Sequence, residues 1–121
     1  MTQRTRAPTP QERAVIERLL SVDFRDVEFF RAQVPALTVS GMCDCGCGSL
    51  YLAVDPEKAA PAPSEEWRDG PDVLVEGDST SWLMLIQADG WLTELEHVDG
   101  YGPRPQELDA AAIVPDPQVE D

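Results

Sequence analysis

Trp82-Leu83-Met84-Leu85-Ile86-Gln87-Ala88-Asp89-Gly90-Trp91-Leu92-Thr93-Glu94-Leu95-Glu96-His97-Val98 is the stretch whose reading decides the fold. Asp89-Gly90 lies between two runs of β-type residues. A two-residue hairpin turn needs positive φ at both central positions, and Asp and Gly tolerate it. The runs are therefore expected to pair antiparallel, with Ala88 opposite Trp91, Ile86 opposite Thr93, Met84 opposite Leu95 and Trp82 opposite His97. The near-continuous apolar run over 82–86 predicts a central strand covered on both faces.

Upstream, Val73-Leu74-Val75-Glu76 reads as a further strand, ended by Gly77-Asp78. Residues 55–71 form a Pro-rich loop, with Pro56, Pro61, Pro63 and Pro71 among Ala, Glu and Asp, and with Trp67 as a candidate anchor to the domain. Before it, Leu37-Thr38-Val39-Ser40-Gly41 alternates apolar with polar, as does Leu50-Tyr51-Leu52-Ala53-Val54, so these two stretches predict another antiparallel pair. The expected strands are 37–42, 49–54, 72–76, 81–88 and 91–98.

Two helices precede the strands. Thr9-Pro10-Gln11-Glu12 is a helix start: Thr9 caps, Pro10 suits the first position, and Glu12 completes a capping box. Val15, Ile16, Leu19 and Leu20 then line one face, with Glu12, Arg13, Glu17 and Arg18 on the other. Asp23 reads as the cap of a second helix carrying Phe24, Val27, Phe30 and Val34, which Pro35 stops. Phe24, Phe29 and Phe30 fit a buried helical face better than a ligand box. The fold class expected is α+β, with two N-terminal helices packed on an antiparallel sheet of four to five strands. In chain order this gives a flexible N-terminus (1–8), a single domain (9–99) and a Pro-rich acidic C-terminal tail (100–121), in which 108–114 has the pattern of a short helical turn.

The tip between the first two strands carries the only chemistry in the chain. Cys43, Cys45 and Cys47 are all of its cysteines, at alternating positions among Gly41, Gly46 and Gly48. Thiolates are good zinc ligands, and the glycines let the backbone curl. Zinc demands that curl, because an extended strand would hold Cys43 and Cys47 ~13 Å apart. A structural site wants four ligands, and the fourth would come from His97 (the only histidine), Asp44, a more distant carboxylate or a second copy of the chain; the candidate metal set is Cys43, Cys45, Cys47 and His97. Cys45 and Cys47 could instead form a strained disulfide with Cys43 as the resolving thiol. No cation in the local sequence lowers a thiol pKa, and Asp44 acts the other way. The bland reading is three small reduced residues at a turn.

Twenty-three acidic residues face nine basic ones, a net charge of −14, which repels nucleic acid and anionic membranes and speeds encounter with a basic protein partner; the bland reading, an acidic surface kept for solubility, is the commoner one. No apolar run approaches the ~18 residues of a membrane span, and the expected location is cytoplasmic. No phosphate-cradling loop or nucleophile elbow is present, Glu94 and Glu96 read as a solvated strand face, and no catalytic residue is assigned.

Glu17-Arg18-Leu19-Leu20-Ser21-Val22-Asp23-Phe24, Leu37-Thr38-Val39-Ser40-Gly41-Met42-Cys43-Asp44-Cys45-Gly46-Cys47 and Asp89-Gly90-Trp91-Leu92-Thr93-Glu94-Leu95-Glu96 together resemble an uncharacterised family of small acidic proteins from high-GC Gram-positive bacteria with a CxCGC hairpin. The resemblance spans residues 12–99 and implies no activity. Size and charge favour a non-enzymatic binding or regulatory module, of the kind that immunity or inhibitor proteins represent. The alternative is zinc binding through Cys43, Cys45 and Cys47, and a third class is a thiol-redox protein.

Overall fold

A computed structural model describes residues 5–78, 80–100 and 102–119. Helices α1 (Pro10–Leu19) and α2 (Val27–Gln33) lead into β1 (Leu37–Met42), β2 (Leu50–Val54), a short α3 (Glu66–Asp69), β3 (Val73–Asp78), β4 (Trp82–Ala88), β5 (Trp91–His97) and β6 (Val114–Pro117). The strands form one antiparallel sheet in the order β1-β2-β5-β4-β3-β6. The class is α+β as expected, with a sixth strand beyond the anticipated four to five.

Asp89 and Gly90 both take positive φ (53° and 89°), so the turn between β4 and β5 forms as expected. The register beyond it differs. Ala88 pairs with Trp91 and Gln87 with Leu92, but a bulge then sets Ile86 opposite Glu94, Leu85 opposite Leu95, Met84 opposite Glu96 and Leu83 opposite His97. Thr93 is the extra residue, its hydroxyl donating to the carbonyl of Ile86 at 3.3 Å. Burial explains the shift. Without the bulge Glu94 would follow Leu92 onto the inner face and Leu95 would point outward. One inserted residue turns Leu83, Leu85, Leu92 and Leu95 all inward, where each is buried.

The inner face packs against α1 and α2 through Val15, Ile16, Leu19, Leu20, Phe30 and Val34. The closest approach is at Gly77, where a Cβ would come within 2.9 Å of Leu19 Cδ2 and 3.0 Å of Ile113 Cγ2. Gly77 therefore continues β3 rather than ending it, because only a residue without a side chain lets α1 lie this close. Strand β4 is central but covered on one face only: Trp82 on the outer face is 47% exposed. The expectation of two covered faces fails because both helices and the 55–71 segment pack on the same side.

The second helix starts at Val27, not at Asp23. Asp26 precedes it with φ 62° and no side-chain capping bond, its carboxylate accepting instead from Trp67 Nε1 at 3.0 Å. Trp67 is buried edge-on against Phe30, with ring centroids 5.6 Å apart, so it anchors the 55–71 segment as the sequence suggested. The chain runs through Pro35 in a 3-10 turn, Val34–Ala36, where proline near the start loses no needed donor.

After β5 the chain returns along α1. Leu108 and Ile113 are buried, and Ala110–Ala112 forms a 3-10 turn, the short helical turn expected within 108–114. Strand β6 then pairs with β3 from Asp78↔Val114 to Val75↔Pro117. Sequence alone obscured this strand because Pro115 and Pro117 resemble tail composition. On an edge strand a proline removes only one potential hydrogen bond and discourages further pairing.

Candidate metal centre

Residues 43–49 connect β1 to β2 as a curled loop. The Cys43 N–H donates to the Ser49 carbonyl at 3.1 Å across its base, and the Gly46 N–H donates to the Cys43 carbonyl at 3.4 Å. Gly46 and Gly48 have φ of 83° and 89°, values that L side chains rarely adopt. At Gly48 space also decides, since a Cβ would lie 2.7 Å from Gln106 Oε1 and 2.9 Å from Arg104 Cβ. The curl brings all three sulfurs within 4.8 Å of one another, where an extended strand would have separated the outer two by ~13 Å. The Sγ atoms of Cys43 and Cys45 are 2.8 Å apart. All three are free thiols, Cys45 exposed and the others half-buried. This cluster can hold a metal ion.

His97 lines the cleft in which the sulfurs converge. It contributes no atom to the converging group. At the end of β5 it is buried, with Nδ1 against the Cys47 carbonyl, while its backbone N–H donates to Ser49 Oγ at 2.8 Å. His97 therefore ties the loop to the end of β5 through both its ring and its backbone. The 98–100 turn packs on the same point, with the position of a Gly100 Cβ 3.3 Å from Cys47 Cβ.

A second brace reaches the loop through Gln106. Glu12 forms the expected capping box with Thr9 yet is fully buried, contrary to its expected place on the solvent face. Arg6 grips it with two hydrogen bonds at 2.7 and 2.9 Å, and Gln106 Nε2 donates both to Glu12 Oε2 at 2.9 Å and to the Gly48 carbonyl at 3.1 Å. Burial alone would raise the carboxyl pKa. The bonds from Arg6, Thr9 and Gln106, with the charge of Arg6, bring it down to about 2. Gln106 is 94 residues from Glu12, and no local sequence signal could have joined them.

The thiols are electrostatically unequal. A hydrogen bond with the Ser49 hydroxyl, 3.2 Å from the sulfur, is the chief cause bringing Cys47 down to about 7. Burial opposes it, while the Ser49 backbone and the other two thiols reinforce it. Hydrogen bonds to Cys43 and Cys47 push Cys45 up to about 11. The local sequence lacks a cation that could lower a thiol pKa, but neutral donors do so here. Tyr51, Glu94 and Glu96 line the same cleft of about 630 Å³ as the cysteines. The phenol of Tyr51 is raised chiefly by charge on Cys43, then by burial and Glu94. Among the described residues no helix is long and apolar enough to cross a membrane.

No known protein family, curated protein or solved structure matches this chain.

Proposed function

We propose that this protein is a metal-binding module in which the thiolates of Cys43, Cys45 and Cys47 hold a zinc ion. The observation carrying this reading is the convergence of three sulfurs within 4.8 Å on a loop curled by glycines at positive φ. Zinc takes thiolates at ~2.3 Å in a tetrahedron, so three sulfurs of one short loop form one face of that polyhedron. The fourth position falls to water or to a carboxylate from the cleft, with His97 acting by orienting the Cys47 peptide rather than by ligation.

Loading releases protons, because the thiolate is the ligand. At neutral pH Cys47 is partly ionised, whereas the proton on Cys45, with its pKa near 11, must be displaced by the metal. Apparent affinity should therefore rise with pH.

The test is elemental analysis of freshly purified, untagged protein with parallel thiol titration, followed by cobalt(II) substitution. One zinc per chain, protected thiols and intense thiolate-to-cobalt absorption are expected. Cys45→Ser should abolish bound metal and lower the melting temperature. Three reactive thiols without metal would refute the proposal, as would two missing thiols without metal, which indicate a disulfide.

A further inference from the structure

The outer face of the sheet has no described element packed on it, and its composition is one-sided. Strand pairing places Tyr51 beside Glu94 and Glu94 beside Ile86 in one row. In the next row Glu96 lies beside Met84, Met84 beside Glu76, and Glu76 beside Asp116. Trp82 lies beside Asp78. With Val114 beside Asp78, five carboxylates thus share the face with five apolar side chains, of which Tyr51, Trp82 and Val114 are 45%, 47% and 63% exposed.

No strand contains Lys or Arg. Each described ion pair joins residues of the helices, loops or N-terminal segment, and none includes Glu76, Asp78, Glu94, Glu96 or Asp116. Two features show that the face carries unrelieved repulsion. Glu76 and Asp116 are directly opposite on neighbouring strands, where like charges destabilise. Glu94 is raised above the usual carboxylate range by burial and by Glu96.

We infer that this face is a docking surface for a basic protein segment in which Arg or Lys alternates with apolar side chains. Charge complementarity selects that occupant. Cations of the segment meet the carboxylates and the ring faces of Trp82 and Tyr51, while its apolar residues cover Met84 and Ile86. A second copy of this chain would set five carboxylates against five, and nucleic acid or anionic lipid would be repelled. This inference goes beyond metal binding and does not depend on the thiolates.

The probe is a short synthetic peptide of alternating arginine and leucine, titrated against the whole protein by calorimetry and by NMR. Binding should weaken as salt rises, and shifts should concentrate at Trp82, Met84, Ile86 and Tyr51. The triple variant Glu76→Gln, Glu94→Gln, Glu96→Gln should bind roughly tenfold or more weakly. A charge-matched control on the 55–71 segment, Glu57→Gln, Glu65→Gln, Asp69→Asn, should lose far less. Equal losses in the two triples would overturn the inference, since net charge alone would then explain binding. Shifts confined to another face would overturn it as well. Self-association that strengthens in the Gln triple and disappears in Trp82→Ser would instead identify a second copy as the occupant.

Discussion

Two side chains near the cysteine loop determine how it behaves in water. Ser49 accepts the buried N–H of His97 and donates to Cys47 when that sulfur is ionised. Replacing Ser49 with Ala removes both bonds. The alkylation midpoint of Cys47 should move from about 7 toward the ordinary thiol value, read as iodoacetamide rate against pH with peptide mapping. The same variant leaves a buried N–H without its partner, at a cost of about 1–3 kcal/mol in chemical unfolding. Glu12 titrates in the opposite region. Its folded pKa of about 2 lies below the ordinary 4.5, so ionisation favours the folded state. That contribution is fully present above about pH 4.5 and is lost as pH falls through about 2. A shift of that size corresponds to about 3 kcal/mol. Glu12→Gln should therefore be destabilised by a few kcal/mol at neutral pH, and the difference from the parent should vanish in acid-unfolding curves near the lower limit.

The β4–β5 hairpin shows how an element answers to its neighbours. Gly90 has φ 89°, and a Cβ there would fall 2.5 Å from the Ala62 carbonyl oxygen and 2.8 Å from the Ala62 nitrogen. Gly90→Ala should cost more than about 2 kcal/mol in denaturant midpoint, since both conformation and backbone contact oppose it. Deleting Thr93 should do less harm. The remaining residues keep Leu92 and Leu95 inward and Glu94 and Glu96 outward, so the deletion removes a bulge without turning a face. Hydrogen exchange across β4 and β5 would check this: protection retained in the Thr93 deletion and reduced in Gly90→Ala. Gln33 adds a latch that helix propensity does not reveal. It donates to the Ala60 and Gly90 carbonyls and accepts from Leu92 N–H, joining α2, the 55–71 segment and the hairpin.

At the scale of the molecule, a net charge of −14 on 121 residues is a self-repulsive field. Five of the six described ion pairs have substantially exposed partners and add little, while Arg6–Glu12 has a fully buried acid. Salt should thus stabilise the fold by screening repulsion more than it weakens attraction. The expected observation is a melting temperature that rises by several degrees as sodium chloride increases from low to moderate ionic strength. A fall would mean that the exposed pairs matter more than the uniform field.

Sequence alone determined whatever a short window contains. Thr9 with Glu12 specified a helix start, Asp89-Gly90 specified a turn, and alternation marked β1 and β2, because capping, φ preference and pleat period act among adjacent residues. The cysteine–glycine spacing likewise announced that metal binding would require a curl. Tertiary structure alone decided which faces meet. The bulge at Thr93 answers to the burial of four leucines, Glu12 is buried because Arg6 and Gln106 reach it, and β6 forms because β3 offers an edge. His97 holds the cysteine loop because β5 ends beside Cys47 and Ser49. These outcomes depend on contacts between residues far apart in the chain, whose energies no local pattern records.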